Sequence, residues 1–357
     1  MRCRSNAAVA AGVWLAAASL IAGCGGQATR SPQGAGAAGG TAGSSGSAGS
    51  SSSGTGGGSG SSGCAGAVAF DDPTIEEAVR AAVGVPDGPI EPSALGGVTT
   101  LFTRGAASLG GVECLSALTT FRSVEGTLSD LTALRDLTQL ESVFVSDNQI
   151  ADISALSDHA ALRSVDLSRN PLSNPTPLEG LPALSELRLD GCGLEVLPEP
   201  SGPLEVLFAS DNRIAVLTPL VGVTSLRELR VSGNDLTSLA PLSELVNLEI
   251  VAAENNAIVD LTPLSGKPRL ERVMIGHNAV TDLSPLSGLP AIQVIDADNN
   301  QISTLAGTVL PAPRCGSELD FTYNPITTSD LEYVCSQGWV TRWGTNPPQT
   351  CNAPCLQ

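Results

Sequence analysis

Apolar residues recur through the middle of the chain in one phrase, apolar-x-x-apolar-x-apolar-x-x-Asn-x-apolar, as in Leu226-Arg-Glu-Leu229-Arg-Val231-Ser-Gly-Asn234-Asp-Leu236. The asparagines fall at Asn148, Asn170, Asn212, Asn234, Asn256, Asn278, Asn300 and Asn324, and the uninterrupted steps are 22 residues. Cys192 takes the missing beat, 22 after Asn170 and 20 before Asn212, and the last step stretches to 24. A fixed period of this length predicts a solenoid, because one unit cannot bury its own apolar face and must stack on its neighbours. Within a unit, apolar-x-apolar is strand alternation: Leu229 and Val231 point inward and Arg230 points to the concave face. The chain then turns inward at the Asn, whose side-chain amide is expected to satisfy backbone groups of the next turn. The second half of each unit, as in Thr218-Pro219-Leu220 or Ser284-Pro285-Leu286, carries Pro and one apolar Leu. That predicts tight 3₁₀ turns on the convex side rather than full helices.

Counting back from Asn148 places Gly126 at the ladder position, with Leu118, Phe121, Ser123 and Leu128 around it. A further step of 22 reaches Arg104, between Leu101 and Ala106, where the pattern is nearly lost. The repeated phrase resembles the leucine-rich repeat family, specifically the 22-residue class of bacterial internalins. The resemblance covers residues 98–326, about ten turns. It implies an α/β solenoid with short parallel strands on the concave face, 3₁₀ turns and loops on the convex face, and a ladder of stacked Asn residues. It also implies that Cys192 stands in for Asn as a small buried thiol.

Caps are expected at both ends, since a terminal unit has no neighbour to cover it. Residues 64–97 hold a helix over Thr74–Val83, with Asp72 as N-cap, Pro73 at its start, Glu76 and Glu77 in the first turn and Gly84 past its end. Its stripe of Ile75, Ala78, Val79, Ala82 and Val83 resembles the N-terminal cap of internalin-type proteins. Residues 327–357 break the period; Ser329–Gln337 reads as a short helix, and Trp339 and Trp343 are expected to close the last turn.

The N-terminus reads as a targeting segment. Arg2 and Arg4 precede an apolar run from Ala7 to Ala22, too short and small-residued for a spanning helix. Ile21-Ala22-Gly23-Cys24 resembles the bacterial lipobox, which implies removal of residues 1–23 and lipidation of Cys24 with a thioether diacylglycerol and an N-acyl chain; the alternative is an ordinary cleaved signal peptide. Several acyl chains anchor stably where one is marginal. Analogy with Gram-negative lipoproteins, on Gly25 after the cysteine, points to the outer membrane. Residues 25–63 hold 15 Gly and 11 Ser in 39 positions, the composition of a flexible tether spanning about 35 Å. The segment 24–63 is therefore read as anchor plus tether, with no second hydrophobic span in the sequence.

Cysteine usage agrees with an extracytoplasmic location. With Cys3, Cys24 and Cys192 set aside, Cys64, Cys114, Cys315, Cys335, Cys351 and Cys355 lie in or near the caps and read as three disulfides. Cys64–Cys114 is expected at the N-terminal end. The other four allow three pairings, of which Cys315–Cys335 with Cys351–Cys355 is preferred; a four-cysteine zinc site is the rival, against which the spacings of 19, 15 and 3 residues argue.

The net charge is −18 with a single lysine, Lys267, which excludes a nucleic-acid or anionic-lipid footprint. No nucleophile elbow, His-Glu-x-x-His or phosphate loop occurs, so no enzyme activity, metal or cofactor is expected. His159, in a convex-side connection, and His277, beside Asn278, read as solvated loop residues. Asp296, Asp298 and Asp320 read as solvated concave carboxylates, with a Ca²⁺ site as the alternative.

Function is therefore sought on the concave face. Four places before each ladder position stand Arg122, Phe144, Asp166, Arg188, Phe208, Arg230, Ala252, Met274, Asp296 and Asp320. Arg and aromatic side chains are enriched in binding hot spots. Arg122, Phe144, Arg188, Phe208, Arg230 and Met274 are accordingly the candidate partner-binding residues of a monomeric protein-interaction module. A structural, envelope-organising role, or inhibition of another protein, are the competing readings.

Overall fold

The computed structural model describes residues 64–314, 316–344 and 349–351. The expected signal peptide, Cys24 and tether lie outside the described residues, as do Cys315 and Cys355. A first helix, α1 (Pro73–Val83), forms where its ends are chemically marked: the Asp72 carboxylate accepts from Thr74 N at 2.8 Å, Pro73 opens the first turn and Gly84 closes the last at φ 70°. Ile75 and Val79, one turn apart, are fully buried. The other Asp72 oxygen accepts from Ala107 N at 2.7 Å and pins the helix start to the first turn of the solenoid. Burial pushes that carboxyl up, but the bonds from Ala107, Thr74 and Ile75 outweigh it and hold its pKa below the usual value. Cys64 and Cys114 form a disulfide across the same end, Cα atoms 5.5 Å apart, closing a 50-residue separation. On loop entropy such a closure is worth about 4 kcal/mol. Cys335 is also disulfide-bonded.

After a short helix, α2 (Pro92–Leu95), the strands follow at the repeat interval. They are β1 (Thr100–Arg104), β2 (Thr120–Val124), β3 (Ser142–Phe144), β4 (Ser164–Asp166), β5 (Glu186–Arg188), β6 (Val206–Phe208), β7 (Glu228–Arg230), β8 (Ile250–Ala252), β9 (Arg272–Met274), β10 (Val294–Asp296) and β11 (Glu318–Thr322). Helix α3 (Thr328–Ser336) precedes β12 (Val340–Gly344) and β13 (Gln349–Cys351). All thirteen lie in one sheet in sequence order, parallel from β1 to β12, with β13 antiparallel. The parallel sheet thus runs one strand beyond residue 326, with α3 taking the convex place that 3₁₀ turns such as Thr218–Leu220 hold elsewhere. Inside the solenoid one apolar core runs the length of the stack.

The ladder is a continuous hydrogen-bond chain, and it faces the preceding turn rather than the next. Asn234 Nδ2 donates to Ala209 O (2.9 Å) in the turn before and to Val231 O (3.0 Å) in its own, while its Oδ1 accepts from Ile214 N (2.9 Å). Asn256 then shares Val231 O, as Asn212 shares Ala209 O. Cys192 breaks the chain: its Sγ reaches Leu167 O at 3.3 Å but offers no acceptor. Leu172 N, which an Asn at 192 would engage, turns instead to Asn170 O at 2.9 Å. Burial pushes the Cys192 thiol up to about 11, so it is unreactive.

The residue before each ladder position is left-handed, including Asp147 (φ 57°), Asp211 (56°), Gly233 (66°), His277 (57°) and Asn299 (49°). The chain needs this conformation to swing inward, which explains the recurrent Asp, Asn and Gly there.

Two sequence readings are corrected. The first turn spans 20 residues, not 22: Phe102 pairs with Arg122, and Gly105 (φ 79°) and buried Ala106 take the places that Glu125 and Gly126 take one turn later. Arg104 is therefore not the ladder residue. Gly126 must lack a side chain, because a Cβ would meet Ala106 O at 2.4 Å and Asn148 Oδ1 at 2.8 Å. Secondly, His159 is not solvated but fully buried, its Nε2 3.0 Å from Leu134 O. It stands 11 residues after Asn148, a column filled elsewhere by Leu137, Leu181, Leu245 and Leu289, all buried. Lys267 occupies the same column and is 1 % exposed, its Nζ donating to Leu242 O, Ser243 O and Leu245 O at 2.8–3.1 Å.

Candidate functional site

Parallel register sets the side chains of successive strands side by side. Reading across the sheet, Phe102, Arg122, Phe144, Asp166, Arg188, Phe208, Arg230, Ala252, Met274, Asp296, Asp320 and Arg342 form one row on the concave face. Each sits opposite a buried neighbour in its own strand, as Phe208 does beside Leu207. All six candidate binding residues therefore share one row. Arg122 is exposed, while Phe144, Arg188, Phe208, Arg230 and Met274 are half-buried against their neighbours. Ala252, expected on the surface, is covered.

The row is ordered at its centre. Arg188 and Arg230 lie over the Phe208 ring, their guanidinium carbons 4.3 and 4.8 Å from its centroid. Each Arg is held by a carboxylate two residues back in its own strand, Arg188 by Glu186 and Arg230 by Glu228, both at 2.7 Å. The repeat causes this arrangement: strands of sequence Glu-Leu-Arg flank a strand of sequence Val-Leu-Phe in register. Stacked guanidiniums fix the ring, so little rotamer entropy is left to lose on contact with a partner.

Acidic residues dominate the far end. Asp296 is pushed up to about 6, first by burial and then by the charges of Asp298, Asp320 and Glu254. Arg342 meets this end, 2.7 Å from Glu318 and 3.7 Å from Asp320. No cluster able to hold a metal ion occurs among the described residues. His277 is exposed, 3.5 Å from Asp298.

Phe102 and Arg342 escaped the sequence reading. Phe102 is 59 % exposed at the open end of the row. The shortened first turn hid it; Gly105 followed by apolar Ala106 is the signal that would have restored the register. Arg342 was hidden because its turn has no ladder Asn and a helix for its convex side.

Comparison with known proteins places this geometry. No protein-family model matches the chain, and no curated protein matches it. Among solved structures, an internalin (inlF) from Listeria monocytogenes is 23 % identical over 77 % of this chain and 91 % of its own, with a TM-score of 0.64. The fold is the leucine-rich-repeat solenoid of the internalins. Internalin C2 from the same organism is 28 % identical over 62 % of this chain and 92 % of its own, at a TM-score of 0.51. The leucine-rich-repeat ectodomain of the plant receptor kinase GASSHO1/SCHENGEN3 from Arabidopsis thaliana, in complex with CASPARIAN STRIP INTEGRITY FACTOR 2, is 22 % identical over 70 % of this chain and 32 % of its own, at a TM-score of 0.54. In the leucine-rich-repeat solenoid described here, the residues that vary freely from turn to turn are those of the concave row, and the chemistry of a partner site is to be sought there. No helix among the described residues is long and apolar enough to cross a membrane.

Proposed function

We propose that this protein is an extracytoplasmic protein-binding module, held at the outer membrane or cell surface through a lipidated Cys24 and displayed on its Gly/Ser-rich tether. A protein partner engages the concave row, centred on Phe208. The observation that carries this reading is the Phe208 ring held between Arg188 and Arg230, each locked by its own glutamate. Pre-ordered aromatic and Arg side chains on an accessible face are what interface hot spots are made of. The plant ectodomain of the same fold, solved in complex with its named factor, supports a protein as the partner class.

Crosslinking on intact cells, followed by mass spectrometry, would identify the partner. Replacing Phe144, Arg188 and Phe208 together by alanine is expected to abolish its capture and leave the far-ultraviolet spectrum unchanged, since none of the three is in the core. Glu195→Ala, on the convex side, is expected to change nothing. Capture of the partner by the folded triple variant at wild-type strength would refute the concave site. Independently, Cys24→Ser is expected to leave the signal uncleaved or to release the protein from the membrane fraction; a processed, membrane-bound variant would remove the anchor from the proposal.

A further inference from the structure

The regular turns fill their convex side with two apolar residues, 8 and 11 places after the ladder residue, as in Leu242 with Leu245 or Leu286 with Leu289. In the 24-residue turn between Asn300 and Asn324 those places hold Thr308 and Pro311, and no 3₁₀ turn follows Leu305 as one follows Leu283. Two leucine side chains are thus missing from one layer of a core that is otherwise close-packed. What they leave is a cavity of about 120 Å³ beneath α3. Its walls are Leu283, Ile295, Leu305, Phe321, Val334 and Trp339, each no more than 7 % exposed. The Trp339 indole N–H is directed to Pro311 O at 3.2 Å. Tyr333 and Gln337, both exposed on α3, also line the space and give it access to solvent.

A cavity walled by Leu, Ile and Phe stays dry, and one of roughly 150 Å³ accommodates a benzene ring. We propose that this cavity is a binding site for one small uncharged apolar molecule, a single aromatic ring or a branched alkyl group of similar size. The walls supply contacts over all faces of such a ligand and no charge to pair with an ionised one. Because the walls come from both the last regular turns and the C-terminal helix, an occupant bridges the two and strengthens the closure of the solenoid's end. This site is separate from the concave row and does not depend on it.

Toluene and benzoate, added separately to the folded protein, test this. Toluene at about tenfold excess over its dissociation constant is expected to raise Tm by roughly 3 °C. Benzoate, similar in shape but charged, is expected to leave it unchanged. Thr308→Leu restores the residue of the regular turns, fills the space, and is expected to raise Tm by itself while abolishing the toluene shift. Leu305→Phe, filling the cavity from another wall, is the second variant and is expected to abolish the shift as well. No shift in the wild type, an equal shift with benzoate, or a full toluene shift in a folded filled variant would each overturn the proposal.

Discussion

Asn234 stands at the centre of the ladder, and removing its side chain tests whether the ladder holds the turns together. At first sight Asn234→Ala deletes three hydrogen bonds, to Ala209 O, Val231 O and Ile214 N. The two carbonyls do not become orphans, because Asn212 still donates to Ala209 O at 3.0 Å and Asn256 to Val231 O at 3.0 Å. Only the Ile214 N–H, in a fully buried residue, is left without its acceptor. One unsatisfied buried donor costs about 1–3 kcal/mol, so a loss near 2 kcal/mol is expected rather than three times that. Asn234→Asp keeps the acceptor for Ile214 N but turns a carboxylate oxygen toward two carbonyls, and is expected to cost more than alanine at neutral pH.

Cys192→Asn is the reverse experiment. It supplies the acceptor that Leu172 N lacks and closes the one gap in the chain, a gain of about 0.5–1.5 kcal/mol. Urea unfolding followed by circular dichroism reads both, with the slope m held as a check that the transition is unchanged. A wild-type midpoint for Asn234→Ala, or a lower midpoint for Cys192→Asn, would refute the account of the ladder.

Two titrating groups give further tests. Burial, only partly offset by Glu244, depresses Lys267 below its usual 10.5; between the two values the unfolded chain binds more protons, so stability rises with pH across that window. Lys267→Met removes this dependence, and the stability of wild type relative to the variant is expected to climb between pH 7 and 10; a flat or falling difference would disprove it. Asp296, at about 6 instead of 3.8, has the opposite sign: the folded state holds the proton more tightly, and stability is lost as pH rises from about 4 to 6. Asp296→Asn is expected to be about 1–2 kcal/mol more stable than wild type at pH 7, after allowance for solvent screening, and equal to it below pH 4; thermal melts at the two pH values decide.

The architecture was legible because the period is rigid and its cause is simple: a strand, an inward turn and one buried amide per unit. The ladder residues, the alternation in the strands, the 3₁₀ turns at Thr218–Leu220 and Ser284–Leu286, and α1 with its Asp72 cap all follow from local rules. The direction of the ladder bonds was not legible, since spacing alone does not say whether an amide faces the turn before or after. Nor was the burial of His159 and Lys267. Both are polar residues in a connection, which ordinarily means solvent, yet their column dips into the core, and each side chain reaches back to a carbonyl of the preceding turn 25 residues away.

The breaks in the period carry more information about this particular protein than the period does. Every regular turn repeats the same core, so it distinguishes this solenoid from another only by its outward residues. The short first turn moves Phe102 into the concave row beside Arg122 and lengthens the aromatic and Arg stretch by one strand. The short turn after Cys192 loses its 3₁₀ segment, and Gly202 fits only because a Cβ there would lie 2.8 Å from the Leu184 backbone. That packing preserves the register in which Phe208 meets Arg188 on one side and Arg230 on the other. The long last turn does the reverse: it keeps the sheet in register from β10 to β11 and opens the space beneath α3. In each case the strands hold their places and the length change is absorbed on the convex side. The concave row is thus conserved in geometry while its chemistry changes strand by strand, which is the condition for one rigid surface to be specific for one partner.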